Sequence, residues 1–220
     1  MPRRTAVVRL RPAHVRQYPH GERPPGLGTY AASARRRSVG EMSDVSLPQR
    51  LARAVGDSPV SERVAAVQEY LYKPVLDWAR RSPFHTGVLG HSIHPPLTDL
   101  TLGCWVSASI LDLAGGTQAR RSAALLVGAG LAAAVPTAFA GAGDWAGMTG
   151  EERRIGAVHA LGTDVAVFAN LGSLIARTRG HHRLGVALSL AGNAVMGGAG
   201  FLGGHLALNR GTARRAPAAG

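Results

Sequence analysis

The chain has 220 residues, 25 of them Lys or Arg and 13 Asp or Glu, for a net charge of +12. Its single cysteine, Cys104, excludes an internal disulfide framework and any zinc or iron–sulfur centre held by several thiolates of these residues. Apolar residues make up 45% and charged ones only 17%, with 29 glycines, a poor match to an ordinary soluble enzyme.

Lys73 is the sole lysine, so the basic excess reads as biased coding composition, and no specific nucleic-acid partner is expected. Residues 1–41 carry nine arginines against two acids and are broken by Pro12, Pro19, Pro24, Pro25, Gly21, Gly26 and Gly28. Breakers at that density leave no sustained period, so residues 1–57 are expected to be disordered. No apolar run of about 7–15 residues follows Arg3-Arg4, which argues against a cleaved signal. The stretch MSDVSLPQRL reads as an ordinary start, so translation is expected to begin at Met42.

Residues 58–84 read as one amphipathic helix. Ser58-Pro59 supplies a cap and a first-turn proline, and Val60, Val64, Val67 and Leu71 recur at helical spacing opposite Glu62, Arg63, Gln68 and Glu69. Pro74 bends or divides it. Tyr70, Tyr72 and Trp78 with Arg80 and Arg81 suit a helix lying at a membrane surface, and packing on the rest of the protein is the equal alternative.

Residues 85–211 form the main domain, with 212–220 as a tail expected to be disordered. Residues 96–114 are apolar apart from Asp99 and Asp112; 122–143 hold no charge; 155–176 carry only Asp164 and His159; 184–208 have His205 as their one ionisable group. A bilayer core of about 30 Å needs about 20 mainly apolar helical residues. The second and fourth stretches are apolar all round, unlike the faces of a soluble bundle. The expectation is therefore an all-α fold, a membrane four-helix bundle in a cell membrane. Gly200 and Gly204, at small-xxx-small spacing, allow close helix approach and a homo-oligomer. The positive-inside tendency places both termini in the cytoplasm: Lys73, Arg80, Arg81, Arg153, Arg154, Arg210, Arg214 and Arg215 on one side outnumber Arg120, Arg121, Arg177, Arg179 and Arg183 on the other.

With four spans, the start of the first and third and the end of the second and fourth share one membrane face. That parity brings His91, His94, His159 and His205 to one leaflet, with Asp99 and Asp144 beside them. Ionisable groups in membrane helices usually face the bundle interior and serve a purpose, and imidazole binds haem iron and transition metals. In one reading, two to four of these histidines hold a b-type haem or a transition metal, with Asp99 or Asp144 as outer acceptors. In the other, they bond to backbone and carboxylates and tie helix ends together. Pro95 and Pro96 fix an entry turn after the first pair. Asp164, Asn170 and Asn193 are polar groups able to link helices, Cys104 reads as core, and His181-His182 as a solvated turn. No phosphate loop, nucleophile elbow or HExxH occurs, so an enzyme is the less favoured class.

The blocks GHSIHPPLTDLTLGCWVSASILDLAGG (90–116), AAAVPTAFAGAGDW (132–145), RIGAVHALGTDVAVFANLGSLIAR (154–177) and GFLGGHLALNRG (200–211) resemble, in order, a bacterial multi-pass membrane family, domain of unknown function 2231. The resemblance covers roughly residues 85–211. It implies importance for His91, His94, Pro95, Asp112, Asp144, Trp145, His159, Gly203, Gly204 and His205. In similar actinobacterial proteins the domain is often followed by a Rieske [2Fe–2S] domain, whose paired Cys and His ligands these 220 residues do not supply. The resemblance thus implies a separate Rieske-type protein as partner. Two functions follow: a membrane anchor or electron-transfer subunit holding haem or metal, or a structural membrane scaffold without cofactor.

Overall fold

The computed structural model describes residues 46–81 and 92–212. The expectations for the tail up to residue 45, for His91 and for residues 213–220 lie outside the described residues. Three short helices, α1 (Leu47–Gly56), α2 (Pro59–Leu71) and α3 (Lys73–Arg81), precede four long ones, α4 (His94–Ala114), α5 (Arg120–Ala146), α6 (Gly150–Thr178) and α7 (His182–Gly204). A π-helical turn, His205–Asn209, continues α7. No strand occurs among the described residues.

The N-terminal boundaries differ from expectation in two ways. Residues 47–56 form a helix, with a Ser46–Gln49 capping box and Pro48 in the first turn. A ten-residue helix is marginal in isolation, and packing against α6 supplies what local sequence does not. Arg154 Nε donates to the Gly56 carbonyl, and Val55 joins Ile155, Leu202 and Leu206 in one apolar cluster. The single amphipathic helix is two, divided at Tyr72; Pro74 is the second residue of α3, where its missing N–H suits a first turn. Both pack on the bundle, α2 against α6 and α3 against α5.

All four long helices are long and apolar enough to cross a membrane. At about 1.5 Å per residue, the 21 residues of α4 match a hydrocarbon core of about 30 Å. Their packing is the reverse of a soluble protein's. Ala108, Ala123, Ala134, Ala140 and Ala166 are buried, whereas Leu100, Ile110, Leu113, Leu125, Val135 and Phe168 face outward. Small residues inside permit the close approach that helices need where lipid is as apolar as leucine.

The bundle is two copies of one hairpin, a repeat that the sequence reading missed. His94-Pro-Pro-Leu-Thr-Asp99 in α4 returns as His159-Ala-Leu-Gly-Thr-Asp164 in α6. At the same offset, Trp105 and Asn170 each seat against a glycine of the next helix, Gly130 and Gly192. A Cβ on Gly130 would lie 2.3 Å from the Trp105 indole nitrogen, so only glycine admits that ring. Equivalent residues also touch each other. His94 meets His159 with ring centres 6.1 Å apart, and Asp112 meets Arg177, 65 positions on, at 2.8 and 2.5 Å. One such contact lies at each end of the bundle, which sets an approximate twofold axis along the helices, as in parallel membrane repeats.

The Asp112 and Arg177 side chains are 1% and 2% exposed. Removing one partner strands a buried charge, at a cost of about 3–5 kcal/mol, whereas replacing both by apolar side chains is often neutral. Arg177→Met should therefore sharply lower the thermal transition of the detergent-purified protein. The Asp112→Leu/Arg177→Met double variant should recover most of that loss.

Candidate functional site

At the level where α4 begins, α3 to α7 surround a cavity of about 300 Å³. Its walls are mainly apolar, from Val75, Phe139, Ala142, Met148 and Leu206, and Thr163 and Thr212 join His94, His159, Asp144, Asp164 and Tyr72 among its polar groups.

His94 opens α4 after an entry turn in which Ser92 Oγ accepts from the His94 N–H at 3.1 Å and donates to Asp144. His94 Nδ1 lies 3.0 Å from the Thr137 carbonyl of α5. His159 Nδ1 lies 2.7 Å from the Ala199 carbonyl of α7. A carbonyl only accepts, so both Nδ1 atoms carry the proton, and a neutral ring then presents its lone pair at Nε2. The two arrangements are repeats of each other, down to the glycine one turn beyond each carbonyl. A Cβ on Gly141 would stand 2.9 Å from His94 Cε1, and one on Gly203 would stand 2.8 Å from His159 Cε1. The rings meet nearly at right angles, 85° between planes.

The other sequence candidates separate. Asp144 lines the cavity. Asp99 faces outward on α4. The two imidazoles are oriented by backbone carbonyls of α5 and α7, the backbone bonding of the second of the two readings. His205 shares the depth but not the lining, and its Nε2 is buried without a hydrogen-bond partner. No group of three or more His, Cys, Asp or Glu among the described residues is placed to hold a metal ion. At the far end of the bundle His182 lies 3.8 Å from Asp112. Asn170 and Asn193 link helices as expected: Asn193 Nδ2 reaches Ser109 at 2.9 Å, and Ser189 donates to Asn170 at 2.8 Å.

Tyr72 is the residue whose place sequence did not reveal. From the α2–α3 junction it donates to Asp164 and closes one side of the cavity. Leu76 packs with Trp145, and Trp78 meets Phe139 edge-on at 5.1 Å. Arg153 pairs with Glu62 and Glu69 at 2.9 and 3.0 Å, and its bond to Glu62 holds that carboxyl below its usual range.

Four apolar helices around a mainly apolar, histidine-bearing cavity define a multi-span α-helical membrane protein with an internal repeat. The sequence model of the family described as "Predicted membrane protein (DUF2231)" matches residues 90–215, and the chain belongs to that family. No curated protein and no solved structure matches it.

Burial, followed by the bond to Asp164, pushes the Tyr72 phenol from 10.0 up to about 12. The docked state therefore binds the phenolic proton more tightly than the undocked one. Its contribution is complete below pH 10.0 and lost as pH rises towards about 12. Alkaline titration followed by tyrosinate absorbance and Trp78 fluorescence should show α3 loosening in that window. Tyr72→Phe should abolish the dependence.

Proposed function

We propose that the protein is a non-enzymatic membrane subunit in which His94 and His159 hold a metal centre, a transition-metal ion or a haem iron, that exchanges electrons with a Rieske-type iron–sulfur protein. The observation that carries this reading is the pair of imidazoles on the bundle axis, each with Nδ1 fixed by a backbone carbonyl. A hydrogen bond on one ring nitrogen is the usual device for orienting the other towards a metal. The donor set fits this use: both rings line the same cavity, and each has its Nδ1 on a backbone carbonyl, which leaves Nε2 for a ligand. His94 and His159 are the proposed ligands. His205 lies outside the cavity lining and is not among them.

Two further features belong to the same reading. Leu47, Leu51, Val60, Val67 and Tyr70 on α1 and α2 are exposed apolar side chains suited to the lipid interface. A Cβ on Gly200 or Gly204 would meet open space, which leaves that strip of α7 free for a second copy of the chain. Both termini are assigned to the cytoplasm on the balance of basic residues.

The test is elemental analysis together with reduced and oxidised visible spectra of the full chain in mild detergent. A stoichiometric metal is expected, lost in His94→Ala and in His159→Ala while helicity and monodispersity persist. A metal-free, folded, monodisperse wild-type preparation overturns the reading in favour of a structural scaffold.

A further inference from the structure

We infer that the outward face of α4 around Asp99 and Gly103 is the docking site for a membrane-spanning helix of another protein, one that brings an Arg or Lys side chain to Asp99. The site owes nothing to the histidine pair, so it stands or falls apart from the metal-centre reading.

The two halves of the repeat treat equivalent aspartates differently. Asp164 on α6 lies half-buried beneath the α2–α3 junction and accepts from Tyr72. Asp99 on α4 is exposed and has no hydrogen bond or ion pair among the described residues. The covering helices explain the contrast: α6 packs against α1 and α2 as well as its bundle neighbours, whereas α4 packs mainly against α5 and α7.

Both aspartates stand deep in the bundle. Asp164 is the midpoint of the 29-residue α6, and Asp99 shares its level. Asp112 is 13 positions further along α4, about 20 Å at about 1.5 Å per residue. In a hydrocarbon core of about 30 Å, the short Asp99 side chain cannot reach water. A carboxylate at that depth is costly unless paired, and a cation from a neighbouring helix is its complement. The other aspartate of α4 already has that complement, since Arg177 meets Asp112 at 2.8 Å.

The surrounding surface suits a helix rather than lipid. At 3.6 residues per turn, Asp99, Gly103, Val106, Ile110 and Leu113 fall within an arc of about 80°. All five are exposed, and their spacing alternates between four and three, the seam of two packed helices. Where α6 turns the large side chain of Phe168 outward, α4 has Gly103, and a Cβ there would meet nothing within 4 Å. One turn from Asp99, a second backbone can therefore come close. A second copy of this chain is a poor occupant, because pairing α4 with α4 about an axis along the membrane normal sets Asp99 against Asp99.

The test reconstitutes the labelled full chain in phosphatidylcholine vesicles with synthetic leucine–alanine transmembrane peptides, and reads association by energy transfer. One peptide carries a single Arg at mid-span, and two controls carry Leu or Glu there. The Arg peptide is expected to associate at least tenfold more tightly than either control. Asp99→Asn and Gly103→Phe should each remove that preference, and Phe168→Leu on α6 should leave it intact. Asp99→Asn should also leave helicity and the thermal transition unchanged, since Asp99 ties no described helix to another. In native membranes, a photo-reactive amino acid in place of Val106 should link to a span of another protein that contains Arg or Lys, and Asp99→Asn should abolish the link. Equal binding of the three peptides, or an Arg preference that survives Asp99→Asn, overturns the proposal. So does a loss of stability in Asp99→Asn, which marks a structural role. Links to a second copy of this chain, to a span without a basic residue or to lipid alone overturn it as well.

Discussion

A side chain that leaves lipid for a helix interface exchanges one apolar surrounding for another, so burial of leucine or valine drives little association here. What holds these helices is contact between backbones at small residues, and a short series of polar bonds with no water to compete for them. The series runs the length of the bundle. It begins at the two imidazole–carbonyl bonds, passes through Thr101 and Thr137 at 3.2 Å, and continues through the Asn170, Ser189, Asn193 and Ser109 group. It ends at Asp112 and Arg177. Several of these bonds join one hairpin to the other: Asn193 of α7 reaches Ser109 of α4, and Arg177 of α6 reaches Asp112 of α4. Where glycine or alanine does not bring backbones together, these bonds could not form; where the bonds are absent, small residues alone would not select one register.

The spans were readable because charge is expensive in hydrocarbon, and stretches such as 122–143 announce themselves by having none. Depth was readable too, since parity places His94, His159 and His205 in one leaflet. Direction around the helix was not. Gly203 faces the His159 ring, and at 3.6 residues per turn a residue two positions further lies about 200° away, on the far side of the helix. His205 therefore points out of the cavity that its depth suggested. Tyr72 was misleading for the opposite reason: as one aromatic among several on an amphipathic stretch it resembled a surface anchor, and only the turn at Pro74 aims it at Asp164.

The repeat is hard to see in the sequence because the two halves match in position more than in residue type. Trp105 and Asn170 occupy equivalent seats against equivalent glycines yet share no chemistry. Asp112 and Arg177 are equivalent and of opposite charge, as a contact across a twofold axis requires once the halves are free to diverge. Two identical side chains facing each other there would repel if both were acidic or both basic. Divergence has also made the surroundings unequal. Asp164 accepts from Tyr72 beneath α2 and α3, whereas its counterpart Asp99 is exposed on α4.

Against that background the histidine pair stands out as the contact on the axis with the same residue on both sides. Two imidazoles at 6.1 Å have no strong mutual attraction to preserve, since neither ring hydrogen-bonds the other and each already spends its Nδ1 proton on a carbonyl. Complementary pairs would have packed as well, as Asp112 and Arg177 demonstrate at the opposite end. Under the metal-centre proposal that identity has a use, since two like nitrogens offer an ion two like bonds.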